Sequence, residues 1–107
     1  MTAKIKTGDV QMFKGQQDIC YKALLRMTLG GTAHSLRVEI RYDSYQDQSW
    51  GKIERWNGSE WKEVFTLSGR QLRGYDKGLC YRRQAPSLAD FALDLATLEA
   101  RAEEVLR

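Results

Sequence analysis

Four residues in one stretch of the chain could carry acid–base chemistry. His34, Glu39, Arg41 and Tyr42 lie close together in the sequence, and such side chains serve as general acid, general base and charge clamp in small nucleases. His34 is the only histidine, so any Ser-His-Asp or Cys-His centre would require it. In a strand, however, Glu39 and Arg41 lie on one face and His34 and Tyr42 on the other, because successive side chains alternate between faces. A small nuclease or hydrolase is therefore only a third functional hypothesis, and no catalytic residue is assigned.

Metal and thiol chemistry have few candidate residues. The chain has two cysteines, Cys20 and Cys80, which lie far apart. A structural zinc site needs about four cysteine or histidine ligands, and the cysteines and His34 together supply fewer. The first residues lack the apolar stretch of an export signal, which predicts a cytoplasmic protein in a compartment where disulfides rarely persist. We therefore expect free thiols, no metal site and no cofactor, and the sequence contains none of the common nucleotide- or calcium-binding motifs.

Basic and aromatic residues form the pattern most typical of a binding surface. Trp50, Trp56 and Trp61 fall on two neighbouring predicted strands. A basic segment follows at residues 70–83, where the only acidic residue is Asp76. Its basic residues are Arg70, Arg73, Lys77, Arg82 and Arg83. Tryptophan and arginine are frequent anchors of protein interfaces, and aromatic rings among cations also suit single-stranded nucleic acid. A third interpretation is cross-strand aromatic pairing that merely stabilises a small sheet.

The elements that position these residues are predicted to be antiparallel strands. Residues 34–43 alternate between apolar and polar side chains, the pattern of a strand with one face in the core and one in water. Residues 48–56 and 60–67 predict two further strands, and the Asn57-Gly58 pair between them favours a hairpin turn. Together they form a meander in which consecutive strands are neighbours.

Strand alternation assigns the aromatic residues to faces. It places Trp50, Lys52, Glu54 and Trp56 on one side of their strand. In the return strand it groups Trp61 and Glu63 with Phe65 and Leu67 on one side. Neither side is purely apolar, so some large rings should lie among charged side chains on a partly exposed face.

The N-terminal third of the chain is less clearly patterned. A short strand is plausible at residues 10–13. Residues 19–29 fit either a strand or an amphipathic helix, and the Gly30-Gly31 pair that follows favours the strand. The antiparallel meander is expected to contain about four strands.

A long helix is predicted for residues 87–107, with Ser87 as the N-cap and Asp90 completing a capping-box-like arrangement. Its apolar positions recur at spacings of three and four: Leu88, Phe91, Leu95, Leu98, Ala102 and Val105. This stripe should cover the apolar face of the chain's own sheet, and the alternative is an antiparallel coiled coil between two copies. The opposite, solvent-facing side would carry Asp90, Asp94, Glu103 and Glu104.

Length and charge complete the expectation. With 107 residues, 42% of them apolar and 29% charged, the chain fits one soluble α+β domain. The predicted division is residues 1–68 mainly β, 69–85 a basic loop region and 87–107 the helix. Residues 1–86 carry 15 basic and 9 acidic groups (+6), and residues 87–107 carry 2 and 5 (−3). This polarity suits an acidic partner or head-to-tail self-association, and no apolar run suggests a membrane segment.

Residues 41–50, 55–58 and 61–64 resemble small uncharacterised proteins carried by phages and other mobile elements. The shared pattern is a strand, a polar Asp-Ser-Tyr turn, a second strand, a Trp-x-Gly hairpin and a third strand. The resemblance implies no activity and transfers no functional residue, but it implies an accessory role in binding a host or element-encoded partner. We therefore predict a non-catalytic, cytoplasmic accessory protein, monomer or homodimer, that binds another protein with an acidic surface. Sequence-indifferent binding of single-stranded nucleic acid is the alternative.

Overall fold

One antiparallel sheet of six strands carries a long helix across one of its faces. The structure, a computed structural model, describes residues 4–15, 18–43, 48–68, 72 and 88–107. The elements are β1 (Lys4–Thr7), β2 (Gln11–Lys14), β3 (Asp18–Leu29), β4 (Thr32–Asp43), β5 (Gln48–Trp56), β6 (Trp61–Ser68) and α1 (Leu88–Leu106). The predicted α+β class and meander are confirmed, and the sheet has more strands than the four expected. All five basic residues of the segment at 70–83 lie outside the described residues.

The sheet has more strands than expected because two short strands, β1 and β2, form one of its edges. Both β1 and β2 pair with β3, β1 along residues 25–28 and β2 along residues 19–22. Between them, residues 8–10 stand opposite only two residues of β3, which makes this junction a bulge. The Gly8 N–H donates a hydrogen bond to the Leu24 carbonyl oxygen at 2.8 Å. The sequence showed only the second of these strands because four mixed residues are too few to establish a period.

Residues 19–29 form a strand, as the Gly30-Gly31 pair indicated. All of β3 pairs with β4, from Asp18 opposite Asp43 to Leu29 opposite Thr32. Gly30 and Gly31 have φ angles of 54° and 85°. Two consecutive positive φ angles are characteristic of a type I′ turn, whose twist matches that of the strands it joins.

The predicted hairpin between β5 and β6 is also present, with a loop of four residues. The Asn57 side-chain oxygen accepts hydrogen bonds from the backbone N–H groups of Ser59 and Glu60, both at 2.9 Å. Gly58 has a φ of 102°, a conformation that disfavours residues with a side chain. These contacts close the loop and bring Trp56 opposite Trp61.

A bulge inside this hairpin corrects the predicted faces of β6. Ile53 pairs with Phe65 and the next residue, Glu54, pairs with Glu63, so Val64 has no opposite partner. One extra residue reverses the alternation. Trp61 and Glu63 therefore lie on the face opposite α1, while Phe65 and Leu67 lie on the side of α1 and do not accompany them as predicted.

Helix α1 packs on the sheet of its own chain, as expected. It buries Phe91, Leu95, Leu98 and Ala102 against a core formed by alternate residues of β3, β4 and β5. The helix lies close against the sheet at Gly51, where an added Cβ would stand 2.9 Å from the Leu98 Cδ1 atom. The two end residues of the predicted stripe, Leu88 and Val105, are exposed.

Asp94 corrects the prediction of a solvent-facing acidic side on α1. Its side chain is fully buried, and its Oδ2 atom accepts a hydrogen bond from the Tyr42 hydroxyl at 2.5 Å. Asp94 stands beside Leu95 and one turn from both Phe91 and Leu98, so it lies within the buried stripe. Burial and the hydrogen bond to Asp94 raise the pKa of Tyr42 above its ordinary value.

Candidate binding surface

The face of the sheet opposite α1, here called the open face, combines exposed or half-buried aromatic rings with charged side chains. The register of the strands places these residues in rows that cross β1 to β6. Its aromatic residues are Phe13, Trp50, Trp56 and Trp61. Its basic residues include Lys6, Lys22, Arg26, Arg37, Arg41 and Lys52, and its acidic residues include Asp18, Glu39, Glu54 and Glu63. Helix α1 covers the other face, so none of these side chains is buried beneath it.

Trp50 lies at the centre of one group of contacts. The Arg41 guanidinium carbon is 5.7 Å from the ring centroid, and the Lys52 Nζ atom is 5.8 Å from it. Both distances are in the range of cation–π attraction. Arg41 also forms an ion pair with Asp18 at 2.7 Å, which holds the guanidinium in place.

Trp56 and Trp61 form a second group at the end of the hairpin. Their ring centroids are 5.5 Å apart and the rings meet edge to face at 61°, a favourable aromatic geometry. The Arg37 guanidinium carbon lies 4.7 Å from the Trp61 ring centroid. Arg37 in turn pairs with Glu54 at 2.8 Å. The Trp56 ring remains exposed.

The charges at the centre of the open face largely compensate one another. Arg37 and Arg41 have carboxylate partners, and Lys22 lies 3.8 Å from Glu39. By contrast, Lys6 and Arg26 form no ion pair with any residue that the structure describes. Lys52 on β5 has no ion pair with a described residue either, so the positive charge without a carboxylate partner lies at Lys52 and, beside β1, at Lys6 and Arg26.

Leu24 lies next to the uncompensated charge beside β1 and is 58% exposed although its strand is inside the sheet. The neighbouring Gly8 has no side chain to cover it. A shallow depression of about 600 Å³ results, with Lys6, Gly8, Leu24, Arg26, Trp56 and Trp61 among its lining residues. A second depression of about 360 Å³ continues on the other side of Leu24, where its lining includes Asp9 as well as Lys22 and Arg37.

Cys20 lies on the same face and is buried. Burial, followed by the negative charge of Glu39, raises the pKa of the thiol from 9.0 to about 11. The thiolate is the reactive form of cysteine. The arrangement therefore suits a stable, unreactive thiol and not a nucleophile.

We expect Cys20 to react slowly with alkylating reagents. A rise of two pKa units lowers the thiolate fraction near neutral pH by on the order of a hundredfold, and burial adds a barrier to access. The measurement is the alkylation rate of the folded Cys80→Ser variant, in which Cys20 is the only cysteine. The same variant unfolded in urea is the control and should react at the rate of a simple thiol. Equal rates in the two states would contradict the assignment.

The four acid–base candidates do not come together. His34 is buried on the face that carries α1, where burial and the charge of Arg55 lower its pKa. Tyr42 is also buried there and is hydrogen-bonded to Asp94, whereas Glu39 and Arg41 lie on the open face. Strand alternation predicted this separation. Across the described residues, no three His, Cys, Asp or Glu side chains are grouped so that they could hold a metal ion.

The structure brings all three predicted tryptophans to the open face. The five basic residues predicted with them, Arg70 to Arg83, belong to the segment that is not described, so their position relative to Trp50 stays a prediction. Sequence reasoning missed Leu24 and Arg37. The alternation of β3 and β4 could have placed both of them on the open face. Each lies between two apolar core residues of its strand and so points to the other side of the sheet.

Comparisons with known proteins return no match. No protein-family model matches the chain, and no curated protein and no solved structure matches it. Within its described residues the chain has no helix long and apolar enough to cross a membrane. The function is therefore argued from the geometry of the open face.

Proposed function

We propose that this protein acts without catalysis, by binding another protein through the open face. The observation that carries the proposal is the state of the cations there: Arg37 and Arg41 each contact a tryptophan ring and a carboxylate. Cations held in this way are already compensated. The face offers a partner a set of exposed or half-buried rings and Leu24, surrounded by paired charged groups. This is the composition of a protein interface.

The same observation argues against a nucleic-acid platform. Bases bind such platforms by stacking on free ring faces while cations neutralise phosphates. On this face the cations lie over the rings of Trp50 and Trp61. The carboxylates of Glu39 and Glu54 lie beside them and would repel a phosphate backbone.

The resemblance to phage-encoded proteins adds a hypothesis about the source of the partner. It suggests a host protein or another protein of the same mobile element. We propose this accessory role together with the binding surface, and the basic residues Arg70 to Arg83 would strengthen the attraction of an acidic partner.

The test is capture of a partner by the immobilised protein, followed by quantitative mass spectrometry and measurement of affinity with the purified partner. Trp56→Ala and Trp50→Ala should each weaken binding by at least about tenfold, as truncation of an interface anchor does. Leu93→Ala is the matched control, because Leu93 is 48% exposed but lies on α1. It should leave affinity unchanged.

Two outcomes would contradict the proposed function. One is a partner bound equally well by Trp50→Ala, Trp56→Ala and the unmodified protein. The other is salt-sensitive binding of an oligodeoxythymidylate that is lost in the tryptophan variants, which would make the open face a nucleic-acid surface. Circular dichroism of each variant establishes that the loss of a ring has not unfolded the sheet.

A further inference from the structure

We infer that the larger depression beside Leu24 binds an extended segment of the partner in which an aliphatic side chain and an acidic one stand two positions apart. The inference rests on the proposed function and specifies where on the open face the partner binds and what chemistry it presents. Its evidence is the exposure of Leu24, the uncompensated charge beside it and the spacing of the residues along β3.

The exposure of Leu24 follows from the edge of the sheet. In a regular edge strand a side chain would stand beside Leu24 on the same face. Here the bulge puts Gly8 at that position, held by its hydrogen bond to the Leu24 carbonyl oxygen. The result is an apolar floor, formed by Leu24 and the Trp56–Trp61 pair, that an aliphatic side chain of a partner can cover.

The charge around this floor selects an acidic partner. Lys6 and Arg26 both line the larger depression and have no ion pair with any described residue. The other cations near Leu24, Lys22 and Arg37, have carboxylate partners. An incoming carboxylate therefore finds its unmatched counter-charge at Lys6 and Arg26, on the rim of the apolar floor.

The spacing along β3 indicates an extended partner. Lys22, Leu24 and Arg26 are alternate residues of one strand, so their side chains emerge about 6.6 Å apart on the same face. An extended segment has the same repeat. A segment lying along β3 with an aliphatic residue and an acidic residue two positions apart would match Leu24 and Arg26 in turn.

The experiment is an NMR titration of the full-length protein with three capped pentapeptides. The probe is Glu-Ser-Leu-Ser-Glu, and the controls are Lys-Ser-Leu-Ser-Lys, which reverses the charge, and Glu-Ser-Ser-Ser-Glu, which removes the aliphatic side chain. We expect the probe to shift the backbone signals of Gly8 and Leu24 and the indole signal of Trp56. Both controls should leave these signals in place.

Two variants with the same change of charge make the titration sharper. Arg26→Glu should weaken binding of the probe on the order of tenfold, because an attraction becomes a repulsion. Arg55→Glu changes the net charge identically but on the face that carries α1, and it should bind the probe as the unmodified protein does. Similar losses in the two variants would mean that only overall charge matters and would overturn the inference.

The remaining outcomes separate this inference from the proposed function. If the probe shifts no signal near Leu24, or if oligodeoxythymidylate shifts those signals instead, the inference is overturned. If the captured partner loses affinity in Trp50→Ala but not in Leu24→Ser or Arg26→Glu, the partner binds elsewhere on the open face and only the inference fails. A partner insensitive to every open-face variant overturns both.

Discussion

Replacement of Phe91 by alanine is expected to lower the free energy of unfolding by about 3–5 kcal/mol. The Phe91 ring is almost fully buried between α1 and the sheet and stacks on Tyr21 with 5.0 Å between ring centroids. Its removal takes away apolar burial, leaves a cavity and breaks the ring contact. Since domains of this size are stable by about 5–15 kcal/mol, the loss is a large share of the total. Urea unfolding followed by circular dichroism measures it.

Leu93→Ala is the matched control on the same helix. Leu93 is exposed, so its truncation should change the free energy of unfolding by less than about 0.5 kcal/mol. Phe91→Leu keeps most of the buried volume and should lose less than Phe91→Ala, which keeps the test informative if the alanine variant does not fold. Equal losses at positions 91 and 93 would show that α1 does not pack on the sheet as described.

Replacement of Tyr42 by phenylalanine is expected to lower the free energy of unfolding by about 1.5–3 kcal/mol, the range for a hydrogen bond to a charged group. The change removes only the hydroxyl, which donates to the buried Asp94 carboxylate at 2.5 Å. A double-mutant cycle with Asp94→Asn isolates the coupling between the two side chains. Additive losses in that cycle would contradict a direct interaction.

Thr97→Ala is the control for Tyr42→Phe. Thr97 donates its hydroxyl to the Leu93 carbonyl oxygen at 3.3 Å on the exposed side of the same helix. Because water can replace that contact, we expect a change of less than about 0.5 kcal/mol. A comparable loss in both variants would mean that burial contributes nothing to the Tyr42–Asp94 bond.

The same pair makes stability depend on alkaline pH. The pKa of Tyr42 is raised above its ordinary value of 10.0 in the folded protein, so the unfolded chain loses this proton more readily than the folded one. The contribution of Tyr42 is therefore complete below pH 10 and is lost as the pH rises above it. In Tyr42→Phe this part of the alkaline loss should disappear. The raised pKa of Cys20 adds a loss between pH 9.0 and about 11, which Tyr42→Phe retains.

The two stability predictions bear on the open face. The apolar contacts of Phe91 fasten α1 to one side of the sheet, and the bond from Tyr42 to Asp94 fixes where the helix lies. The hydrophobic core therefore uses only the face of the sheet that α1 covers. Its other face is free to carry Trp56, Leu24 and Arg26 on paired strands, which hold their relative positions for a partner.

Much of the architecture follows from local sequence. Alternation along residues 34–43 defines β4 and also separates His34 from Glu39, which makes a shared acid–base centre unfavourable. The Gly30-Gly31 and Asn57-Gly58 pairs mark the two hairpin turns because they supply positive φ angles. The stripe of α1 predicts its packing, since an apolar sheet face requires a cover. These features depend on residues close together in the chain.

The tertiary structure decided which face of the sheet some side chains occupy and which charges are paired, because both depend on strand register. The bulge at Val64 put Phe65 and Leu67 on the face opposite that of Trp61, and the bulge at Gly8 uncovered Leu24. A bulge changes the face of every later residue in its strand, and the local sequence pattern predicted neither of these two bulges. Asp94 was buried by a tyrosine that lies far away in the sequence, and the cations acquired carboxylate partners from neighbouring strands. By itself, the sequence determined which residues the open face could contain. Cross-strand pairing determined which of them are compensated and which remain available to a partner.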